Sequence, residues 1–123
     1  MNNLSFEQNL TPEQKIQICE HLATVVMGYL STTMGNPNHC AIWWYSHSGE
    51  TIPKSRWNPL ENANQISLCL KHFHYYQHFK TPETVSFKIS KTIKHMPAIA
   101  VAGSYEIAAC VAMCRATGLK IDL

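Results

Sequence analysis

Seven consecutive residues, Arg56-Trp57-Asn58-Pro59-Leu60-Glu61-Asn62, bring a guanidinium, an indole, two amides and a carboxylate around one proline. Ordering so many functional groups in a short connection costs conformational entropy, which a ligand or an anchored neighbour must offset. Two roles suit these residue types. As a binding loop, Trp57 stacks on a planar group, Asn58, Glu61 and Asn62 read hydrogen-bonding edges, and Arg56 and Lys54 pair with phosphate. As a structural loop, Asn58-Pro59-Leu60-Glu61 is an N-cap followed by proline and by a glutamate at the third helical position, with Trp57 packed down as a staple. The roles are compatible, because backbone amides at a helix start attract anions whether or not a side chain caps them.

Other constellations offer less. Trp43, Trp44 and Tyr45 alternate along a strand-like run; Ile42 and Trp44 are expected on the core face, while Trp43 and Tyr45 form either a second packed layer, the commoner state of an aromatic, or a stacking platform with Trp43 as the ligand contact. His74 and His78 are four apart and share a face if the segment is helical, a spacing that suits two metal ligands. No acidic residue accompanies them, and a third ligand would have to come from His95 or His39, so a polar face or a pH-sensing subunit contact is the plainer reading. Cys110 and Cys114 lie on an apolar helix and read as packing groups, while Cys40 beside His39 is the better reactive thiol. Ser104, at the start of the last helix, can cap it or donate to a phosphate. The eight carboxylates show no close pair suited to acid-base work. No phosphate-cradling glycine loop or nucleophile triad is present, so neither a cofactor nor a metal is expected.

Composition narrows the class. The 123 residues suffice for one domain with a core of its own, and they are 46% hydrophobic and only 15% charged. Few charges favour a homo-oligomer. A net charge of +2 is too small for a duplex-binding protein, so non-specific nucleic-acid binding is not expected, but it leaves room for a small anionic ligand. Five cysteines without close spacing argue against a disulfide framework or a zinc ribbon. No apolar run reaches the ~20 residues of a membrane span, and the first residues lack the features of a signal peptide. The expected place is therefore the cytoplasm, with no membrane partner.

The elements that must position these groups follow from periodicity. Residues 1–10 read as a flexible arm and residues 11–123 as one domain. Thr11-Pro12-Glu13-Gln14 starts a helix with a capping box, and Ile18, Leu22, Val25, Val26, Tyr29 and Leu30 carry its apolar spacing to about residue 30. Gly35-Asn36-Pro37-Asn38 breaks the chain before a strand over 41–46, and Ser48-Gly49 turns it toward a short strand near Thr51 and Ile52. A second helix is expected over 62–79, with Ile66, Cys69, Leu70, Phe73 and Tyr76 as its stripe and Thr81-Pro82 as its stop. Residues 84–91 alternate as a half-buried strand, and residues 98–102 are apolar on both faces, as a central strand would be. The final helix, from Ser104 to near Gly118, is apolar nearly all round and is expected to bury itself against the sheet and a second subunit. The sum is an α+β fold of order α-β-β-α-β-β-α: an α-β-α sandwich with a mostly antiparallel four-stranded sheet covered by three helices.

Trp57-Asn58-Pro59-Leu60-Glu61-Asn62, the amphipathic helix after it and the small-residue helix Ile107-Ala108-Ala109-Cys110-Val111 resemble the NinX-like, "phage ABA sandwich" proteins, over about residues 15–118. The His-rich stretch 71–80 departs from that pattern. The resemblance implies a small phage protein of α-β-α form. By analogy with phage sponges it implies a non-enzymatic anti-defence role in the infected bacterium, sequestering a nucleotide immune signal such as a cyclic ADP-ribose isomer. The ligand-binding set expected on this reading is Trp57, Asn58, Glu61, Asn62, Arg56, Lys54, Trp43 and Ser104. The rival readings are an interaction module that blocks a host protein and, third, a small nucleotide hydrolase using a histidine with Glu61.

Overall fold

A helix that is apolar on every side has to be enclosed, and the last helix is. In the computed structural model, which describes residues 10–33, 41–45, 49–94 and 96–121, this helix (Tyr105–Ala116, α3) buries every residue from 108 to 114. Ser104 caps it by accepting from the Ile107 amide at 3.2 Å, and Gly118, at φ 98°, follows its end. Both ends agree with the sequence reading.

The enclosure comes from two sides. A three-stranded antiparallel sheet, Tyr75–Lys80 (β4), Val85–Ser90 (β5) and Ala98–Ala102 (β6), covers one side with β5 in the centre. Its inner face carries Val85, Phe87 and Ile89, paired in register with Ala102, Ala100 and Ala98. Alanines on β6 and at Ala108, Ala109 and Ala112 let strand and helix approach closely. The other side is closed by Pro12–His21 (α1), the π-helical turn Leu22–Val26 after it, and Ala63–Leu70 (α2). Arg115 ties the assembly together from the end of α3, donating to the carbonyls of Ile99 at 2.7 Å and Ile121 at 2.6 Å. Burial of α3 is thus complete within one chain and needs no second subunit.

A second antiparallel sheet, Leu30–Thr33 (β1), Ala41–Tyr45 (β2) and Glu50–Pro53 (β3), follows α1. The fold is therefore α+β with three α-helices and two small three-stranded sheets, where a single four-stranded sheet was expected. The helices lie on one face of the β4–β6 sheet only, which leaves its other face uncovered by the described residues.

Three local expectations are corrected. The capping box at Thr11 forms, with both of its hydrogen bonds present, but the helix does not run to residue 30. It widens into the π turn, closed by the Met27 amide on the Leu22 carbonyl at 2.9 Å, and Gly28, at φ 73°, turns the chain into β1. The helix expected over 62–79 stops at Leu70, and residues 75–80 are strand β4 instead. Tyr75, Tyr76 and Phe79 favour a pleated surface and find β5 to pair with across a tight Thr81–Thr84 turn. Residues 98–102 form an edge strand rather than a central one, with Ile99 and Val101 exposed. Of the arm expected over residues 1–10 only Leu10 is described, and it is buried in the core; the expectations for residues 1–9, the Gly35–Asn38 break, Cys40 with His39, and His95 lie outside the described residues. Among the described residues no helix is long and apolar enough to cross a membrane.

His21 links the far ends of α1 and α3. Its Nε2 lies 2.7 Å from the Thr117 hydroxyl, which itself donates to the Met113 carbonyl at 2.7 Å, so the ring nitrogen is the donor. Burial lowers the His21 pKa. Below the ordinary histidine pKa of about 6.5 the unfolded chain then binds the proton more readily than the folded one. Stability from this group is complete above that pH and is lost as the pH falls from there toward the lowered folded value. The thermal midpoint should drop from about pH 7.5 to about pH 5.5, and drop less in His21→Gln, which keeps a donor. An equal drop in the variant would place the dependence elsewhere.

Candidate functional site

The 3₁₀ turn Lys54–Arg56 and the loop after it are held against α1 and α2 by a small set of hydrogen bonds. Gln65, in the first turn of α2 and buried, is the clamp. Its carbonyl oxygen accepts from the Asn58 amide at 2.6 Å, and its amide nitrogen donates to the Arg56 carbonyl at 2.7 Å. Trp57 is 4% exposed and packs edge-on against Tyr29, with ring centroids 5.3 Å apart. Its indole N–H donates to the Cys19 carbonyl of α1 at 2.9 Å. Asn58 Nδ2 donates to Glu61 at 2.8 Å, and Asn58 Oδ1 lies 3.5 Å from the Cys19 thiol.

This arrangement opens a cleft of about 320 Å³ between α1 and the 54–58 segment. Lys15, Ile16, Cys19 and Glu20 form the α1 wall, Trp43 of β2 lies at the base, and Lys54, Ser55, Trp57 and Asn58 form the opposite wall. The Lys54 ammonium sits 4.2 Å from the centre of the Trp43 ring and bonds the Ser31 hydroxyl of β1. No carboxylate is among its partners in the described residues. The cleft therefore presents two cations, one carboxylate and an indole already adapted to a positively charged neighbour.

Four of the eight residues singled out in the sequence, Trp43, Lys54, Trp57 and Asn58, meet in this cleft. The other four do not. Glu61 braces Asn58 and borders a separate cavity with Lys15, Leu60 and Ile107. Asn62 is the true N-cap of α2, accepting from the amides of Asn64 at 3.0 Å and Gln65 at 3.2 Å. The Asn58–Glu61 segment, expected to begin that helix, is a turn closed by the Glu61 amide on the Asn58 carbonyl at 3.0 Å. Arg56 is exposed and outside the cleft lining. Ser104 is occupied as a cap and borders another cavity with His78, Lys80 and Tyr105. Trp57 is mostly the staple of the structural reading, so the aromatic base of the cleft falls to Trp43. Trp43 was expected opposite the core face, yet it is buried while Ile42 is only half-buried; the side chains of Trp44 and Tyr45 lie outside the described residues.

Sequence reasoning missed the α1 wall and Gln65. Gln65 had a signal: Asn62-Ala63-Asn64-Gln65 is itself a capping-box pattern. Lys15 had none, because only the fold brings it to Lys54.

The remaining chemistry is quiet. Burial is the largest cause raising the pKa of Cys19, Cys69, Cys110 and Cys114, from three helices; neighbouring thiols add to it at Cys69, Cys110 and Cys114, and Glu61 and Glu20 add to it at Cys19. Cys69 and Cys114 are each pushed up to about 12. Such thiols stay protonated and pack as small hydrophobes. His78 lies on β4, just after the bend at His74, so about 13 Å of extended chain separates the two residues and the helical spacing argument for a metal pair fails. Among the described residues no group of three or more His, Cys, Asp or Glu is placed to hold a metal.

Comparison of the chain with protein-family models, with curated proteins and with solved structures gives no match.

Two substitutions separate support from binding. Gln65→Ala leaves the Asn58 amide without its acceptor and should lower unfolding free energy in urea by about 2 kcal/mol. Trp57→Ala should cost about 3–5 kcal/mol by emptying a packed site. Trp57→Phe should cost no more than about 2 kcal/mol, because the Cys19 carbonyl keeps a helical partner. Unchanged stability in Trp57→Ala would return the indole to a ligand-serving role.

Proposed function

We propose that this chain is a binding protein whose cleft between α1 and the 54–58 segment captures a small anion bearing a planar ring, of nucleotide type, and releases it unchanged. The observation that carries the reading is the placement of Lys15 and Lys54 on facing walls of a cleft based on Trp43. Two ammonium groups suit phosphate, and an indole suits a base. Glu20, on the same wall as Lys15, accepts from sugar hydroxyls or an exocyclic amine.

Lys54 links the two halves of recognition. At rest its ammonium covers the Trp43 ring. An arriving phosphate competes for that ammonium, and as the ammonium swings toward it the indole face opens to the ring of the ligand. A neutral planar molecule has no such lever.

Capture rather than turnover is favoured by the state of the thiol in the α1 wall. Burial raises the Cys19 pKa, so the group stays a thiol beside Asn58. No histidine lines the cleft to serve Glu61 as the hydrolase reading requires. The cleft is built from one subunit, so the homo-oligomer favoured by low charge is not needed for binding. The resemblance of the Trp57 loop to small phage proteins supplies the setting: a sponge for a nucleotide immune signal, such as a cyclic ADP-ribose isomer, in the cytoplasm of an infected bacterium.

The test is a panel of nucleotide second messengers, including ADP-ribose isomers and cyclic dinucleotides, incubated with the protein. After filtration and heat release the retained material is read by mass spectrometry. One intact nucleotide should be recovered, and its binding should change tryptophan fluorescence. Lys15→Gln and Lys54→Gln should each weaken binding about tenfold, roughly 1.4 kcal/mol. Recovery of a cleaved product would make the protein an enzyme, and an empty filtrate would remove the small-ligand reading.

A further inference from the structure

The outer face of the β4–β6 sheet takes no part in the cleft. Strand register sets its residues in rows: Tyr75 beside Ser90, then Gln77, Lys88 and Ile99, then Phe79, Ser86 and Val101. No described element covers it, and Phe79 is 64% and Ile99 52% exposed. Tyr75 and Phe79 are four residues apart on one strand, so their rings stand about 13 Å from one another, at ~3.3 Å per residue. Lys88 and Gln77 occupy the row between them.

Charge is unevenly shared between this region and the rest. Residues 71–104 contain five lysines (Lys71, Lys80, Lys88, Lys91 and Lys94) and a single carboxylate, Glu83, a net +4 within a chain whose total is +2. The remaining residues therefore carry −2. Lys88 stands on the open face itself, and Lys91 and Lys94 lie exposed in the β5–β6 connection at its edge, whereas Lys80 ends β4 on the α3 side.

We infer that this face is a platform for single-stranded nucleic acid. Exposed aromatic rings on a sheet stack unpaired bases, and interleaved lysines follow the phosphates, without any need for base-specific hydrogen bonds. Tyr75 and Phe79 are the stacking groups, Lys88 takes the phosphate between them, and the half-buried Gln77 and Ser86 offer polar contacts to base edges and sugar. A duplex keeps its base faces stacked inside and gains nothing from the rings. A second copy of the chain, the other candidate to cover an apolar sheet face, would bring one +4 region against another, which like charge opposes.

Fluorescence anisotropy with a labelled oligothymidylate of about twelve nucleotides, within the site sizes of sheet-based single-strand binders, tests the inference. The full chain should bind it at low salt and lose it as salt rises. Phe79→Ser and Tyr75→Ser should each weaken binding about tenfold, and Lys88→Gln should flatten the salt slope by about 0.7. Lys15→Gln/Lys54→Gln should bind as the parent does, which keeps this face distinct from the cleft. All of these side chains are at least partly open to solvent, and matching thermal melts will show that the variants fold. The inference is overturned if the chain does not bind the oligonucleotide, if Phe79→Ser binds it unchanged, or if a duplex of equal length binds as tightly. It is equally overturned if sedimentation shows a dimer that Phe79→Ser dissolves and the oligonucleotide does not, in which case a second copy covers the face.

Discussion

The rest of the structure depends on the need to enclose α3. Its buried run from Ala108 to Cys114 offers no polar face to water, so the chain must wrap it on all sides to keep it from solvent. The β4–β6 sheet supplies one side, and α1, the π turn and α2 supply the others. The choice of small residues makes this feasible, since alanines and cysteines allow backbone elements to approach from several directions at once. A helix of leucines in the same place would hold its neighbours further apart and leave the short α2 unable to close the gap. The four thiols drawn together from α1, α2 and α3 fit the same account: they are small apolar volumes kept protonated by burial.

Enclosing α3 also fixes where binding groups can be. With α1 committed to the core through Ile18 and Leu22, its opposite face, with Lys15, Ile16 and Glu20, turns outward beside the 54–58 segment. That segment has little regular structure of its own. Gln65 compensates by bonding the backbone on both sides of Trp57, and Trp57 is pinned in turn to the Cys19 carbonyl. The most functional-looking residues of the loop are thus used to hold it still. Preorganisation of this kind lowers the entropy lost when a ligand arrives, so a structural tryptophan and a binding cleft are two consequences of one arrangement.

How much of this was legible depends on whether the deciding contact is local. The Thr11–Gln14 capping box and the Ser104 cap were readable because their partners are three residues away. Strands β5 and α3 were readable from clean periodicity. The segment 75–80 was not, because its aromatic residues tolerate either period and the decision belongs to β5, which pairs with it from across the turn. The role of Trp43 on β2 was left open for a similar reason: a strand with aromatic groups on both faces carries no alternation, and only the fold shows that Trp43 is buried. Within the site, Trp43, Lys54, Trp57 and Asn58 were found by residue type. Lys15 and Glu20 were invisible, since nothing near residue 15 announces a neighbour near residue 54.

The same logic separates the two surfaces of the molecule. Each face of a strand is set by parity alone, so β4 presents Tyr76, His78 and Lys80 toward α3 and Tyr75, Gln77 and Phe79 away from it. Tyr76 and His78 stack on Phe87, with ring centroids 6.1 and 6.0 Å apart, and His78 and Phe87 both meet Tyr105 of α3 edge-on. This aromatic cluster lets an edge strand with exposed side chains stay docked without a covering layer on its outer side. Antiparallel sheets with one solvated face usually place polar residues there, and the middle strand does so with Ser86 and Lys88. The flanking strands do not, with Phe79, Ile99 and Val101 left in water. Apolar groups kept at the margins around a polar, positively charged centre do not serve folding, because α3 is already enclosed without them. Their place on the outer face is what the inferred single-strand platform would use.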